Sequence, residues 1–365
     1  MMLFGGTLGR YFAMQFLTTV LAVFAGVFAL IALVDYIELM RRHADVADLS
    51  ALLVAQTSLY RVPQVTERIL PFAVLIGAMS CYLGLSRRLE LVVARSAGMS
   101  AWQFIMPAIV VALLFGAVTT ALYNPLAAYL NERSKAMEAR FTGGATAGQP
   151  TAGGGFWLRQ RSVDGQSIIN ARSTQEQGVQ LGGITAFVFD GKGTFTERLE
   201  AKAARLEAGY WRLDGVRRYP VGAPPQDIPQ HHLPTNLTPE QVRESFSTPE
   251  TVPFWDLPEY IRLAENAGLG AAGYRLQYQK LLSRPFMLAA MVLLAAAFSL
   301  RFFRFGGVQK MVLGGVAAGF LLYVMSKVTD DLSNAELLHP VTAAWLPVLV
   351  GGMTGIIALL YLEDG

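Results

Sequence analysis

Residues 101–123 read AWQFIMPAIVVALLFGAVTTALY, 23 positions without one charged side chain. A helix of that length is about 34 Å long, enough to cross the ~30 Å hydrocarbon core of a bilayer. Outward from it the same texture recurs at 12–34, 69–86, 280–300, 306–327 and 341–361, so six membrane spans are expected. The apolar run of the first is much longer than the ~7–15 residues of a signal-peptide core, so it is expected to stay as an anchor. Composition agrees: 53% hydrophobic against 16% charged residues, with a mean hydropathy of +0.38 over 365 residues, marks a membrane protein rather than a soluble enzyme. A net charge of +3 provides no concentrated basic face for nucleic acid. The single cysteine, Cys81, leaves neither a disulfide framework nor a cysteine-ligated zinc site.

Orientation follows from the short loops. Arg10 precedes the first span, Arg87, Arg88 and Arg95 follow the second, and Arg301, Arg304 and Lys310 follow the fourth, so these segments and both termini are expected in the cytoplasm. The loop at Arg41, Arg42 and Asp45, the acidic turn at Asp330, Asp331 and Glu336, and everything from about Asn124 to Gln279 then lie outside. That divides the chain into residues 1–123, 124–279 and 280–365. The central insert changes texture. Short β-type runs at Gly155–Arg159, Ser167–Asn170, Ile184–Phe189 and Tyr210–Leu213 are separated by turn signals at Asp164-Gly165, Gly182-Gly183 and Asp190-Gly191, which predicts an antiparallel β-sandwich. The Pro-rich stretch Pro220–Pro234 predicts a loop, and capping boxes at Thr238–Gln241 and Asp256–Glu259 predict two short helices, the second ending near Gly268.

Catalytic signatures are absent: there is no phosphate loop, G-x-S-x-G, H-E-x-x-H or dinucleotide fingerprint. Of the histidines His43, His231, His232 and His339, only the middle two are adjacent, and they read as solvated loop residues rather than metal ligands. Two constellations remain. The segment 87–98 carries Leu89, Val92, Val93 and Ala97 at helical spacing, with Arg88, Glu90 and Arg95 beside them, Gly98 as a C-terminal cap and Ser100–Gln103 as the capping box of the third span. Such a helix either docks into a groove on a soluble partner or anchors the loop at the membrane surface. The second constellation is cationic: Arg41, Arg42, Arg61, Arg68, Arg133, Lys135 and Arg140 lie near the outer ends of spans, the last three on a helix continuing from the third span. Guanidinium forks match phosphate oxygens, so the ring suits a phosphorylated lipid headgroup. Snorkelling and local pairing, such as Glu67 beside Arg68 or Glu132 near Arg133, are the alternative. Pro71, Pro107, Pro347 and the Gly315–Gly319 stripe read as packing features, and Lys327 with Asp330 and Asp331 as a local ion cluster.

Several stretches carry a resemblance that covers essentially the whole chain. They are Leu8-Gly9-Arg10-Tyr11-Phe12, Leu33-Val34-Asp35-Tyr36-Ile37, Val62-Pro63 and Leu70-Pro71, then Arg88–Val93 with Ala97-Gly98, Leu237-Thr238-Pro239-Glu240 and Tyr274-Arg275-Leu276. In this order they resemble the LptF/LptG permease family, and Leu33–Asp35 and Glu90–Val93 are more similar to its LptG branch. The resemblance implies an α-helical membrane protein of six spans with a periplasmic antiparallel β-jellyroll domain inserted between spans three and four. It implies an inner-membrane lipopolysaccharide exporter in which an LptG-type chain pairs with an LptF-like permease. An LptB-like ATPase dimer drives it, an LptC-like subunit regulates it, and an LptA-like bridge receives the lipid. No cofactor is implied, and ATP chemistry belongs to the partner. Arg88–Gly98 matches the family's coupling helix, with Glu90 at the family's glutamate. Spans one and five match its lateral gate, and Arg133 and Lys135 lie where the family places basic residues. One departure is Gln64, where LptG members commonly have lysine; Arg61 and Arg68 are the nearest cations. The rival class is an ABC-driven mechanotransmission protein that moves no lipid, whose usual layout has four spans.

Overall fold

The computed structural model describes residues 6–42, 50–141, 156–162, 165–175, 179–191, 194–236, 249–266, 271–303 and 308–363. The first capping box and residues 237–240 lie outside the described residues, as do His43, Asp164, Gly268 and Arg304. Six helices are long and apolar enough to cross a membrane. They are α1 (Thr7–Arg42), α2 (Ala51–Arg87), α4 (Ala101–Val118) with its continuation α5 (Asn124–Phe141), α7 (Ala272–Phe303), α8 (Val308–Asn334) and α9 (Pro340–Glu363). Among the described residues there are also two short α-helices, α3 (Glu90–Ser96) between α2 and α4, and α6 (Leu257–Asn266) before α7. By contacts the chain divides into a helical unit, Met1–Ser134 with Pro253–Trp255 and Arg275–Gly365, and a sheet unit, Lys135–Val252 with Asp256–Tyr274.

Several helices overrun the apolar windows that predict them. At 37 residues α2 is about 55 Å long against a ~30 Å core. Helical hydrogen bonding is internal to the backbone, so it does not stop where the side chains turn polar. Residues 51–66 of α2 are such an extension, and it is held by neighbouring helices. Ser58 Oγ donates to Ala32 O of α1 at 3.4 Å, and Ser134 Oγ of α5 donates to Thr57 O at 3.0 Å. Between α4 and α5 the helix widens into a π-helical turn, Thr119–Tyr123.

The core of the helical unit is made by Leu70, Val74, Leu75 and Ala78 of α2, Phe104, Ile105 and Ala108 of α4, and Leu288, Val292 and Ala295 of α7. Against it α1 buries a stripe at i, i+4 and i+8, namely Phe12, Phe16 and Val20. Small residues set the closest approaches, as read from the glycine stripe. A Cβ at Gly319 of α8 would overlap Leu75 Cδ2 of α2, and one at Gly116 of α4 would meet the Pro285 backbone of α7. Leucine at Gly319 is expected to lower stability by about 1–3 kcal/mol by overpacking, read as a lower melting midpoint in detergent. Leucine at Gly352, which has no neighbour within 4 Å, is expected to change it by less than about 0.5 kcal/mol.

The sheet unit holds β1 (Phe156–Ser162), β2 (Gly165–Gln175), β3 (Gln180–Phe189), β4 (Phe195–Glu207), β5 (Tyr210–Pro220) and β6 (Gln226–Pro234), paired antiparallel in chain order as one sheet. In a flat sheet β1 and β5 would stand about 19 Å apart, four strand spacings. Yet the Trp211 indole of β5 donates to Gln160 Oε1 of β1 at 2.9 Å, and Thr235 Oγ1 donates to the same oxygen at 2.7 Å. The sheet therefore curls until its two edges meet, around a core of Leu158, Ile169, Leu181, Leu199, Trp211 and Leu213. The bend is visible in the pattern. Buried positions alternate within each strand but slip phase between Leu181 and Ile184, Ala201 and Ala204, and Leu213 and Val216, at one level of three adjacent strands. Gly183 and Gly215, with φ of 60° and 64°, sit at that slip.

Three expectations for the insert are corrected here. Gly182-Gly183 lies inside β3 rather than in a turn. The Pro220–Pro234 stretch contains β6, which tolerates Pro229 because it is an edge strand that needs donors on one side only. His231 and His232 accordingly lie on a strand, not a loop. Partial burial holds His231 below the ordinary imidazole range, and His232 packs on the Tyr210 ring at 4.6 Å. The Asp190 hairpin is as expected, with Asp190 Oδ1 accepting from Thr194 N–H at 2.8 Å, and α6 begins after Asp256, whose carbonyl accepts from Tyr260 N–H at 3.1 Å.

Candidate functional site

The segment after α2 is shorter and more sharply turned than its periodicity predicts. Instead of one helix over 87–98, α2 ends at Arg87, and Arg88-Leu89 form a turn in which Leu89 takes a left-handed φ of 62°. The two-turn helix α3 then runs Glu90–Ser96. Its end is a Schellman motif with Gly98 in the left-handed region (φ 86°): Gly98 N–H donates to Arg95 O at 2.9 Å and Met99 N–H to Ala94 O at 3.1 Å. Gln103 Oε1 then accepts from Ser100 N–H at 3.2 Å as α4 opens. Leu91 and Ala94, which the spacing argument left out, face the helical core and are buried. Leu89, Val92 and Val93 are 58%, 44% and 65% exposed, so the apolar face identified from sequence has no cover among the described residues. Arg88 and Arg95 are exposed beside it, while Glu90 is half-buried and accepts a hydrogen bond from Tyr11 Oη of α1 at 3.0 Å.

The basic residues at the other ends of the spans are distributed rather than clustered. Arg41 and Arg42 both reach Glu38, at 2.7 and 3.2 Å, on the exposed last turns of α1. Arg61 of α2 pairs with Asp35 of α1 at 3.6 Å, which ties these two helices together. Arg68 and Lys135 are exposed, and Gln64 is half-buried. The Arg133 guanidinium lies over the Tyr129 ring at 5.1 Å, one helical turn away. Arg140 lies on α5, and its side chain is outside the described residues.

What sequence reasoning missed is a buried polar knot at the boundary of the apolar spans. Glu67 of α2 pairs with Arg284 of α7, not with its neighbour Arg68, and the two side chains are only 6% and 14% exposed. Asn124, the first residue of α5, donates to Glu67 Oε1 at 2.8 Å, and its own Oδ1 accepts from the Phe254 backbone N–H at 2.8 Å. One side chain therefore joins α2, the start of α5 and the Phe254 backbone, all within the helical unit. Around it Thr66 Oγ1 and Tyr123 Oη lie 2.6 Å apart, Tyr123 Oη donates to Pro63 O at 3.1 Å, and Thr120 Oγ1 donates to Leu281 O at 3.1 Å. The Trp255 indole donates to Ala121 O at 3.0 Å and so satisfies a carbonyl of the π-helical turn. A second cross-helix pair, Lys280 with Asp330 at 2.7 Å, joins α7 to α8. The ion cluster read at Lys327 thus divides, with Lys327 pairing to Asp331 at 3.0 Å and Asp330 taking Lys280. The sequence signal for these pairs was a charge at the edge of an apolar run or, for Arg284, just inside one. Nothing local indicated which charges would meet.

Chemically, the arrangement can bind and position; among the described residues no group of three or more His, Cys, Asp or Glu is placed to hold a metal ion. A family model described as lipopolysaccharide export system permease LptF/LptG matches residues 10–361. The chain is similar to the lipopolysaccharide export system permease protein LptG of Escherichia coli K12, 23% identical over 350 residues that cover 94% of each protein. It is likewise similar to the LptG of Haemophilus influenzae, 23% identical over 357 residues, 94% of this chain and 95% of that protein.

Proposed function

The chain belongs to the LptF/LptG family of lipopolysaccharide export permeases, and from that premise we propose that it is the LptG-type half of an ABC-driven exporter. In this reading it pairs with an LptF-like permease, docks an LptB-like ATPase through α3, responds to an LptC-like regulator and hands lipid to an LptA-like bridge. Its termini and α3 lie in the cytoplasm and its sheet unit in the periplasm. The observation that carries the reading is the uncovered face of Leu89, Val92 and Val93, mounted beside Glu90 between two spans. A soluble ATPase is the natural cover, since the chain has no phosphate loop of its own.

Physical cost constrains the rest. A lipid with ~50 methylenes would lose on the order of 40 kcal/mol if exposed to water, at ~0.8 kcal/mol per CH₂. The route must therefore stay apolar, with charge confined to the headgroup level. The exposed apolar flanks of α1 and α8, Leu21, Leu30 and Leu33 on one and Leu313, Phe320 and Leu321 on the other, suit acyl chains and the second permease. The curled sheet, apolar inside, suits onward passage.

The test is photocrosslinking of lipid A within the assembled complex during ATP turnover. Crosslinks to α1 and α8 support transport; ATP turnover that never yields a lipid adduct sinks it. In the same assay Arg133→Glu with Lys135→Glu is expected to reduce adducts at least about 30-fold at low salt, since two cations near an anionic headgroup contribute on the order of 1 kcal/mol each. The difference shrinks at high salt as the charges are screened. Unchanged crosslinking in the double variant would assign Arg133 to its Tyr129 ring alone.

A further inference from the structure

We propose that Tyr11 is a positioning residue for transport, a hydroxyl tie that carries movement of α3 to span one and that holds firmly only while the ATPase is seated. This rests on the reading of α3 as the docking helix.

The geometry is specific. Tyr11 Oη donates to Glu90 Oε2 at 3.0 Å across 79 residues of sequence. Beside it Phe12 is buried in the same core as Leu91, Ala94 and Phe104, its ring 5.8 Å from that of Tyr11 and 6.4 Å from that of Phe104. The start of α1 is thus anchored inside by the contact of Phe12 with Phe104 of α4 and tied to α3 by one hydrogen bond at the surface. On the other side α3 is joined to α2 through Leu89, a non-glycine residue in the left-handed region. That turn does not continue the helical rod of α2, so displacement of α3 need not be passed rigidly into α2. Tyr11 provides a second way out, directly into α1, which buries Phe12, Phe16, Val20 and Leu39 and is tied farther along to α2 through Ala32 and Asp35.

The environment makes the tie conditional. Tyr11 is 42% exposed, and water competes for both partners, so in the chain alone the bond is weak. A protein surface seated on Leu89, Val92 and Val93 excludes that water, and a hydrogen bond to a carboxylate strengthens as the local dielectric falls. A carboxylate has lone pairs for several donors, so Glu90 can accept a cation from the ATPase and keep Tyr11 at the same time. Docking thereby connects the ATPase, Glu90 and span one in series.

The experiment uses the full complex of this chain with its permease and ATPase partners, reconstituted with lipopolysaccharide. Tyr11→Phe keeps the ring that packs on Phe12 and removes only the hydroxyl. ATPase retention and melting midpoint are expected to match wild type, while lipid exported per ATP hydrolysed falls about tenfold, the scale of one hydrogen bond to a charged group. Tyr11→His, whose ring N–H can still donate, is expected to recover part of the ratio. A wild-type ratio in Tyr11→Phe overturns the tie. So does loss of the ATPase from Tyr11→Phe, which would make Tyr11 part of the docking surface. If the wild-type complex itself neither retains an ATPase nor exports lipid, the functional reading fails first, and that result is distinguishable from the other two.

Discussion

Alanine at Arg284 is expected to destabilise the helical unit by about 3–5 kcal/mol, because it leaves the Glu67 carboxylate charged and without its cation in an almost fully buried position. Asn124 still donates to Glu67, but one neutral donor does not replace a guanidinium, and water is largely excluded at 6% exposure. The loss should spread, since the other arm of Asn124 holds the Phe254 backbone. A double variant separates pairing from packing. Glu67→Gln with Arg284→Met keeps volume, removes both charges and preserves an acceptor for Asn124. It is expected to return most of the stability, as matched apolar replacements of buried ion pairs commonly do. Melting in detergent, followed by tryptophan fluorescence, reads both. A midpoint for Arg284→Ala within about 1 kcal/mol of wild type, or a double variant worse than the single, would show that the knot is not a balanced pair.

Loss of the Glu90 carboxylate is the second large effect. If α3 docks an ATPase as proposed, Glu90 is one half of an interfacial charge pair; truncating one partner of such a pair typically costs about 2–5 kcal/mol, so Glu90→Ala is expected to release or uncouple the ATPase while the spans remain folded. Leu91 and Ala94, not Glu90, hold α3 to the core, which is why the fold should survive. Val93→Asp is the companion change, placing a charge on the most exposed apolar position of the docking face. It should weaken ATPase retention without touching the Tyr11 hydrogen bond. Pull-down of the ATPase with the mutant membrane complex, read beside lipid export, decides the matter. Retention and export at wild-type levels in Glu90→Ala would reduce Glu90 to a solvated helix residue.

Where the sequence was legible, the signal was local or strongly periodic. Predominantly apolar runs of about 20 residues located the six candidate spans, because a bilayer admits few alternatives to a helix. The Gly98 cap was readable because only a residue at ease with positive φ ends a helix that way. In contrast β4, FTERLEAKAARLE, is composed of good helix formers. Pairing with β3 and β5 outweighed its propensity and buried Leu199, Ala201, Ala204 and Leu206. The site divided the same way. Leu89, Val92 and Val93 were found from spacing, while Leu91 and Ala94, which set the orientation of α3, were not.

By itself, then, the sequence determined that this is a six-span membrane protein with a β insert after the third span, and which short helix presents an apolar face between spans two and three. These follow from transfer free energies and turn chemistry that act over a few residues. Only the tertiary structure decided that Glu67 pairs with Arg284 rather than Arg68, that Asp330 takes Lys280, that Tyr11 meets Glu90, and that Gln160 closes a curled sheet against Trp211. Those partners are 217, 50, 79 and 51 residues apart. A charge or a hydroxyl states that it needs a partner, but which one it receives depends on how helices cross and strands curl, and that is set by the packing of the whole chain.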